Sequence, residues 1–265
     1  MMGSVAYRHA STPPSVVTDD APALSVVIPA HNEQQLLAHT LRDVVDGLRS
    51  RSLTFEVVVV ENGSGDDTLA TARAVAARDP EVTVRTRPRA DYGDAMRTGL
   101  LGARGDVVVV FDVDYYDLGF IDRVLPDLQR AGGPAIIVGS KRAPGTRDSR
   151  PWPRRVITAG FGGILRFGFG LSVSDTHGMK ALRRVPIEPI ARGCRFGADL
   201  FDTELVLRAD RAGLLIGEVP VEVEERRPSR TPIARRVIRT VFGLLRLRVV
   251  LWRELLRRDT RSIDP

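Results

Sequence analysis

The chain has 265 residues, 43% of them hydrophobic and 27% charged, with a formal net charge of +6. Those proportions belong to a chain that folds around a buried core, and they exclude low-complexity and wholly disordered classes. Its one cysteine, Cys194, cannot close an internal disulfide, which fits a reducing cytoplasm. No apolar stretch reaches the length of about 18 residues that a bilayer demands, and the first residues lack a secretory signal pattern.

In chain order, residues 1–22 are rich in Ser, Thr, Pro and Ala without periodicity and are expected to form a disordered leader. From Leu24 the pattern changes to LSVVIPA, a continuous apolar run of strand length. Asn32 then stands where a helix N-cap would, ahead of Leu37, Leu41, Val44 and Leu48 at helical spacing. A second run, Phe55 to Val60, leads into the turn Asn62-Gly63-Ser64-Gly65 and a helical stretch from Asp67 to Arg78. A short strand at Val82 to Arg85, a helix from about Asp94 to Arg104 and a fourth run, Val107 to Phe111, follow. Uninterrupted Val and Ile runs alternating with helices indicate strands covered on both faces, hence a doubly wound, parallel α/β sheet.

After Asp117 the layout is less regular. Ala135 to Gly139 reads as a strand, 142–155 as a long loop and Val156 to Leu171 as an apolar, glycine-rich segment too short to span a bilayer. Phe161, Phe167 and Phe169 suit a core more than a membrane surface. Residues 198–212 pattern as an amphipathic helix on which Asp202 and Glu204 suit either a solvated face or the site, and Leu214 to Val223 as a strand. Residues 232–265 form a basic tail helix after a single domain at 23–231. Residues 226–258 hold eleven arginines against one acid, Glu254, so the remainder of the chain is mildly acidic. Such a split points the tail at phosphates, of lipid headgroups or of nucleic acid, or else marks arginine as this chain's default cation.

In a doubly wound sheet, ligands bind beyond the carboxyl ends of the strands. His31-Asn32-Glu33, Glu61-Asn62 and Asp112-Val113-Asp114 all lie there. Two carboxylates two positions apart can turn to one hard cation, Mg²⁺ or Mn²⁺, which can neutralise a diphosphate leaving group.

SVVIPAHNE, VVVVENGSGDDT and YGDAMRTGLLGARGDVVVVFDVD, in this order, resemble glycosyltransferase family 2, of GT-A fold. GSKR, Trp152, SDTHGMKALRR and FDTELVLRADRAGLLIGEVPVEVEERRPSR resemble its branch that transfers hexoses to polyprenyl or dolichyl phosphate. The resemblance implies a mostly parallel sheet flanked by helices, a nucleotide-diphosphate sugar donor (GDP- or UDP-hexose), Mg²⁺ or Mn²⁺, and inversion at the anomeric carbon. It assigns nucleotide contacts to Pro29, His31 and Glu33, with histidine in place of the usual tyrosine. Glu61 and Asn62 match base-contacting acids, and Asp66 a further acidic position. Asp112 and Asp114 match the metal and diphosphate site, Asp114 being the stronger ligand. Tyr116 stands near a polar metal contact for which a neutral phenol is poorly suited.

An ionised phosphate acceptor attacks without a general base, so its site calls for cations. The resemblance gives that role to Lys141, Arg226 and Arg230, with Lys141 replacing an arginine. Asp175 matches an acidic sugar-recognition position, which also suits a general base. His177 reads as structural or sugar-binding, because no second histidine is spaced to join it at a metal. A tail of arginines with Trp252 and leucines suits either an anionic membrane surface or packing on the domain or a partner chain. The expected protein is a cytoplasmic enzyme, peripheral on the inner face of the cell membrane, with no nucleic-acid partner. Two other readings stay open: the same donor chemistry with a hydroxyl acceptor, or a weakly catalytic binder of nucleotide sugars.

Overall fold

The computed structural model describes residues 21–140, 160, 163–171, 173, 176, 178–197, 200–221 and 233–261, with side chains of the last helix described at 240–254. Seven strands make one sheet: β1 (Leu24–Ala30), β2 (Phe55–Asn62), β3 (Val82–Arg87), β4 (Val107–Val110), β5 (Ile136–Ser140), β6 (Lys180–Arg183) and β7 (Ile216–Pro220). Their order is β3-β2-β1-β4-β6-β5-β7. The first four are mutually parallel, β5 and β7 pair in parallel, and β6 runs antiparallel to both neighbours.

The apolar runs form strands buried on both faces, as expected. Val27, Val58, Val60, Val108 and Val110 face one core, while Val26, Ile28, Val57, Val59, Val107 and Val109 face the other. Alternate residues of one strand thus serve opposite layers. Helices α1 (Leu37–Arg49), α2 (Thr68–Ala76) and α4 (Leu118–Gln129) cover one side. Helices α3 (Tyr92–Gly102), α5 (Arg184–Gly193) and α6 (Phe201–Arg211), with α7 (Ile233–Arg261), cover the other. Pro29 sits inside β1 without loss, because its imide faces the side on which β4 has already ended at Val110.

Several expectations need correction. Asn32 is not a helix cap: it adopts a left-handed φ of 55° and α1 begins only at Leu37. Directly after Asp117 the chain is regular, for α4 starts at once, with the Asp117 side chain accepting from Gly119 N–H at 2.8 Å. Asp202 and Glu204 are buried rather than solvated. Lys180, fully buried, faces Asp202 at 3.2 Å and donates to the Gly178 carbonyl at 2.7 Å. Glu204 accepts from the backbone N–H groups of Arg195 and Phe196 and from Arg208 Nε at 2.8 Å.

Helix α7 packs on the domain through Leu244, Leu247 and Leu251, and Arg208 clamps Glu254 at 2.8 Å. Its other face leaves Val241, Phe242, Leu245, Val249 and Trp252 exposed. Among the described residues no helix is long and apolar enough to cross a membrane. Cys194 is buried, and that burial, reinforced by the charge of Glu204, pushes its thiol up to about 12, where it is inert.

Candidate active site

The carboxyl ends of β2, β1 and β4 lie side by side, which brings Glu61-Asn62, His31-Asn32 and Asp112-Asp114 to one edge of the sheet. After Val110 the chain makes a tight turn, with Asp112 N–H donating to the Tyr115 carbonyl at 3.1 Å and Tyr115 N–H to the Asp112 carbonyl at 3.3 Å. Val113 at its tip is buried, and its carbonyl accepts from the Thr40 hydroxyl of α1 at 2.7 Å. This anchor fixes the turn while Asp112 and Asp114 on either side keep solvent access. Asp114 has no hydrogen-bond or ion-pair partner among the described residues. An uncommitted carboxylate on a pinned turn, two positions from another, offers the hard oxygen donors that Mg²⁺ or Mn²⁺ takes. Among the described residues no group of three or more His, Cys, Asp or Glu could hold a metal, so diphosphate oxygens and water would complete the shell. Tyr116 does not join it, because its hydroxyl donates to Asp43 at 2.7 Å.

At the ends of β1 and β2 the polar groups hold one another. His31 Nδ1 lies 2.8 Å from the Asn62 carbonyl, and Nε2 lies 3.0 Å from Asn32 Nδ2. A carbonyl only accepts and an amide NH₂ only donates, so this pairing fixes the neutral Nδ1–H tautomer. Asn32 also accepts from Gly65 N–H at 2.9 Å and donates its own N–H to the Ser64 hydroxyl at 3.0 Å. Glu61, buried, accepts from Ser64 N–H, a turn made possible by Gly63 at φ 62°. Asn62, also buried, accepts from Asp91 N–H at 2.9 Å.

Asp66 is committed to the same junction. It accepts from the Thr68 N–H at 3.0 Å, from the Thr68 hydroxyl and from Gln34 N–H at 3.4 Å, while Thr68 Oγ1 accepts from Glu33 N–H at 2.8 Å. The Thr68 hydroxyl, ahead of the backbone donors, holds the Asp66 carboxyl below its ordinary range. The structure therefore spends Asp66 on joining the β1 and β2 loops.

Of the sequence-predicted residues, Pro29, His31, Glu33, Glu61, Asn62, Asp66, Asp112 and Asp114 gather at this edge. Lys141, Asp175, Arg226 and Arg230, with Trp152 and His177, lie outside the described residues. Sequence reasoning missed Tyr92, at the first turn of α3, which lies near Asp112 and Asp202. Burial first, then the charges of Asp112 and Asp202, push this phenol well above its ordinary range, so it stays a donor. It also missed Asn32, Ser64 and Thr68 as braces. No residue pattern marks such roles, since the bonds that join the two loops, Asn32 with Ser64 and Glu33 with Thr68, span 32 and 35 positions.

The family model for glycosyl transferase family 2 matches residues 25–190. Glycosyltransferase AglD of Haloferax volcanii is 29% identical over 238 residues, covering 88% of this chain and 38% of AglD. Dolichyl-phosphate beta-glucosyltransferase ALG5A of Trichomonas vaginalis is 28% identical over 223 residues, covering 80% of this chain and 69% of the relative. Among solved structures, glucosyl-3-phosphoglycerate synthase from Mycobacterium tuberculosis, in complex with Mn²⁺, UDP and phosphoglyceric acid, has a TM-score of 0.61 at 24% identity. That likeness covers 84% of this chain and 78% of the synthase. The chain spans well under half of AglD's length and about two thirds of ALG5A's. The matched segment, 25–190, takes in β1 to β4, the paired acids and most of the sheet: this chain belongs to glycosyl transferase family 2, and it is a glycosyltransferase of GT-A fold.

Proposed function

We propose that this enzyme moves a hexosyl group from a nucleoside-diphosphate sugar, GDP- or UDP-linked, to a polyprenyl phosphate with inversion at C1. The observation that carries the reading is the uncommitted Asp114 carboxylate beside Asp112 at the end of β4, next to the neutral His31-Asn32-Asn62 network. Asp112 and Asp114 would hold Mg²⁺ or Mn²⁺, which offsets the charge that builds on the departing diphosphate. Glu61 supplies an acceptor and Asn62 an amide donor for the base. Pro29, His31 and Glu33 flank the nucleoside. The buried floor of Val110, Phe111 and Val113 keeps the acids' charge in a poorly solvated setting, where electrostatic stabilisation of the leaving group counts most.

An acceptor phosphate oxygen attacks C1 as the bond from C1 to the donor phosphate breaks. No proton moves, so no base is required. Lys141, Arg226 and Arg230 hold the incoming anion, and Asp175 reads the sugar hydroxyls. The domain is assigned to 23–231, after a leader at 1–22. The tail, 232–265, brings the enzyme to its lipid substrate at the inner face of the membrane. There the exposed Phe242, Leu245 and Trp252 of α7, with Arg246 and Arg253 beside them, suit an anionic lipid surface. The names of two relatives support the acceptor class: ALG5A is a dolichyl-phosphate glucosyltransferase. An undecaprenyl-phosphate 4-deoxy-4-formamido-L-arabinose transferase of Pseudomonas paraeruginosa is 35% identical over 178 residues.

The test is incubation with radiolabelled UDP- and GDP-hexoses, Mn²⁺ and polyprenyl phosphate. Label extracted into the organic phase supports the reading. Label confined to water-soluble glycosides assigns a hydroxyl acceptor instead, and rate should then fall as pH drops through the carboxylate range of a general base.

A further inference from the structure

We propose that helix α1 sets the placement of the two acids, with Thr40 and Asp43 as positioning residues for the turn that carries Asp112 and Asp114. The inference rests on the reading of those acids as cation ligands. Thr40 is buried, and its hydroxyl donates to the Val113 carbonyl at 2.7 Å. One turn further along α1, Asp43 accepts from the Tyr116 hydroxyl, also at 2.7 Å. Residues three apart on a helix share a face, so one face of α1 grips the turn at two points, on either side of Asp114. The helix is itself fixed, because Leu37, Leu41, Val44 and Leu48 are buried in the core beneath it.

The first grip acts through the backbone. The peptide unit from Val113 to Asp114 is planar, so holding the Val113 carbonyl oxygen also fixes where the Asp114 nitrogen and Cα lie. Around it, the paired backbone bonds between Asp112 and Tyr115, 3.1 and 3.3 Å, close the turn. The Tyr116 ring lies 6.4 Å from that of Phe111, so the residues bracketing the turn also meet. A threonine inside a helix can spend its hydroxyl on a carbonyl of its own preceding turn. The Thr40 hydroxyl instead leaves the helix, and a bond made in this buried setting is stronger than one in water. The choice of anchors also has a consequence. A lysine or arginine reaching the turn would pair with the acids and cancel charge that a cation needs, whereas neither anchor uses the carboxylate of Asp114. Groups that orient a ligating side chain from behind are worth about 10–100-fold in metal affinity.

The test is calorimetric titration of Mn²⁺ into the full chain, with and without UDP, for wild type, Thr40→Val, Thr40→Ser and Tyr116→Phe. Thr40→Val keeps the shape but loses the donor, and is expected to bind Mn²⁺ about 10–100-fold more weakly, with UDP affinity in the absence of metal unchanged. Thr40→Ser keeps the hydroxyl and is expected to bind Mn²⁺ nearly as wild type does. Tyr116→Phe releases the second grip without leaving the Val113 carbonyl unpaired. It is expected to weaken Mn²⁺ binding with UDP affinity unchanged, and it carries the test should Thr40→Val not fold. Wild-type Mn²⁺ affinity in Thr40→Val or in Tyr116→Phe would overturn the role of that anchor, and equal losses in Thr40→Val and Thr40→Ser would overturn the role of the hydroxyl, with the cation site left standing. A wild type that takes up no Mn²⁺ even with UDP would overturn the cation reading, and this inference with it.

Discussion

The two ends of the parallel strands carry acids in opposite circumstances. At the amino end Glu56 is saturated: it accepts from the Ser25 hydroxyl at 2.7 Å, from the Arg104 N–H at 2.6 Å and from Arg104 Nε at 2.9 Å. At the carboxyl end Asp114 has no partner among the described residues. Both follow or open a run of valines, and both sit on the same sheet. One buried carboxylate satisfied three times over, and a part-exposed one left open among the described residues a strand's length away, is the contrast on which the proposed cation site rests. The same contrast recurs on α7, where Leu247 is fully buried and Trp252 is 59% exposed.

Substitutions can break this contrast, and the largest effect is expected inside the closed groups. Lys180→Met leaves Asp202 as an uncompensated buried charge whose Oδ1 already lacks a partner, and should destabilise by about 3–5 kcal/mol in urea unfolding. Replacing both residues by apolar ones should cost clearly less than the sum of the two single changes. Next, Leu247→Ala should cost about 2–5 kcal/mol by the same measurement, because the face of α7 that it leaves is core.

Glu56→Gln sharpens the comparison with Asp114 through pH. Burial alone would raise the Glu56 carboxyl, but the Ser25 hydroxyl and the two Arg104 donors together hold it below its ordinary value of 4.5. A carboxyl lowered in the folded state adds stability that is fully present above the unfolded value and is lost as pH falls through the folded one. Wild type should therefore exceed Glu56→Gln by about 2 kcal/mol at pH 7, and the gap should shrink as pH falls below 4.5 and through the lowered folded value. The smallest effect is expected for Trp252→Ala, within about 0.5 kcal/mol of wild-type stability. Its consequence should appear instead as reduced partitioning onto anionic vesicles in a sedimentation assay.

The half of the fold built from β1 to β4 was legible because parallel strands buried on both faces have no choice but to be apolar throughout. In the other half β5, α6, β7 and α7 were legible by their patterns, while α4, α5 and β6 were not. Strand β6 is four residues long and opens on Lys180, a charge that reads as surface until Asp202 is placed beside it. Helix α5 contains Pro189 and α4 contains Pro126, residues that argue against a helix in any local reading. The site was legible in its acids, which announce themselves by position after a strand. Its braces were not, for Asn32 reads as a helix cap until the loops that it joins are brought together. Glu204 was ambiguous for the same reason: its donors are the backbone groups of Arg195 and Phe196, which carry no side-chain signature.

The most direct measurement is turnover and melting temperature of Asp114→Asn, assayed with Mn²⁺, a UDP- or GDP-hexose and polyprenyl phosphate. Because Asp114 has no partner to lose among the described residues, melting should stay at the wild-type temperature while sugar transfer falls by about 100-fold or more. Transfer within a few-fold of wild type would show that the open carboxylate after β4 does not serve the departing diphosphate.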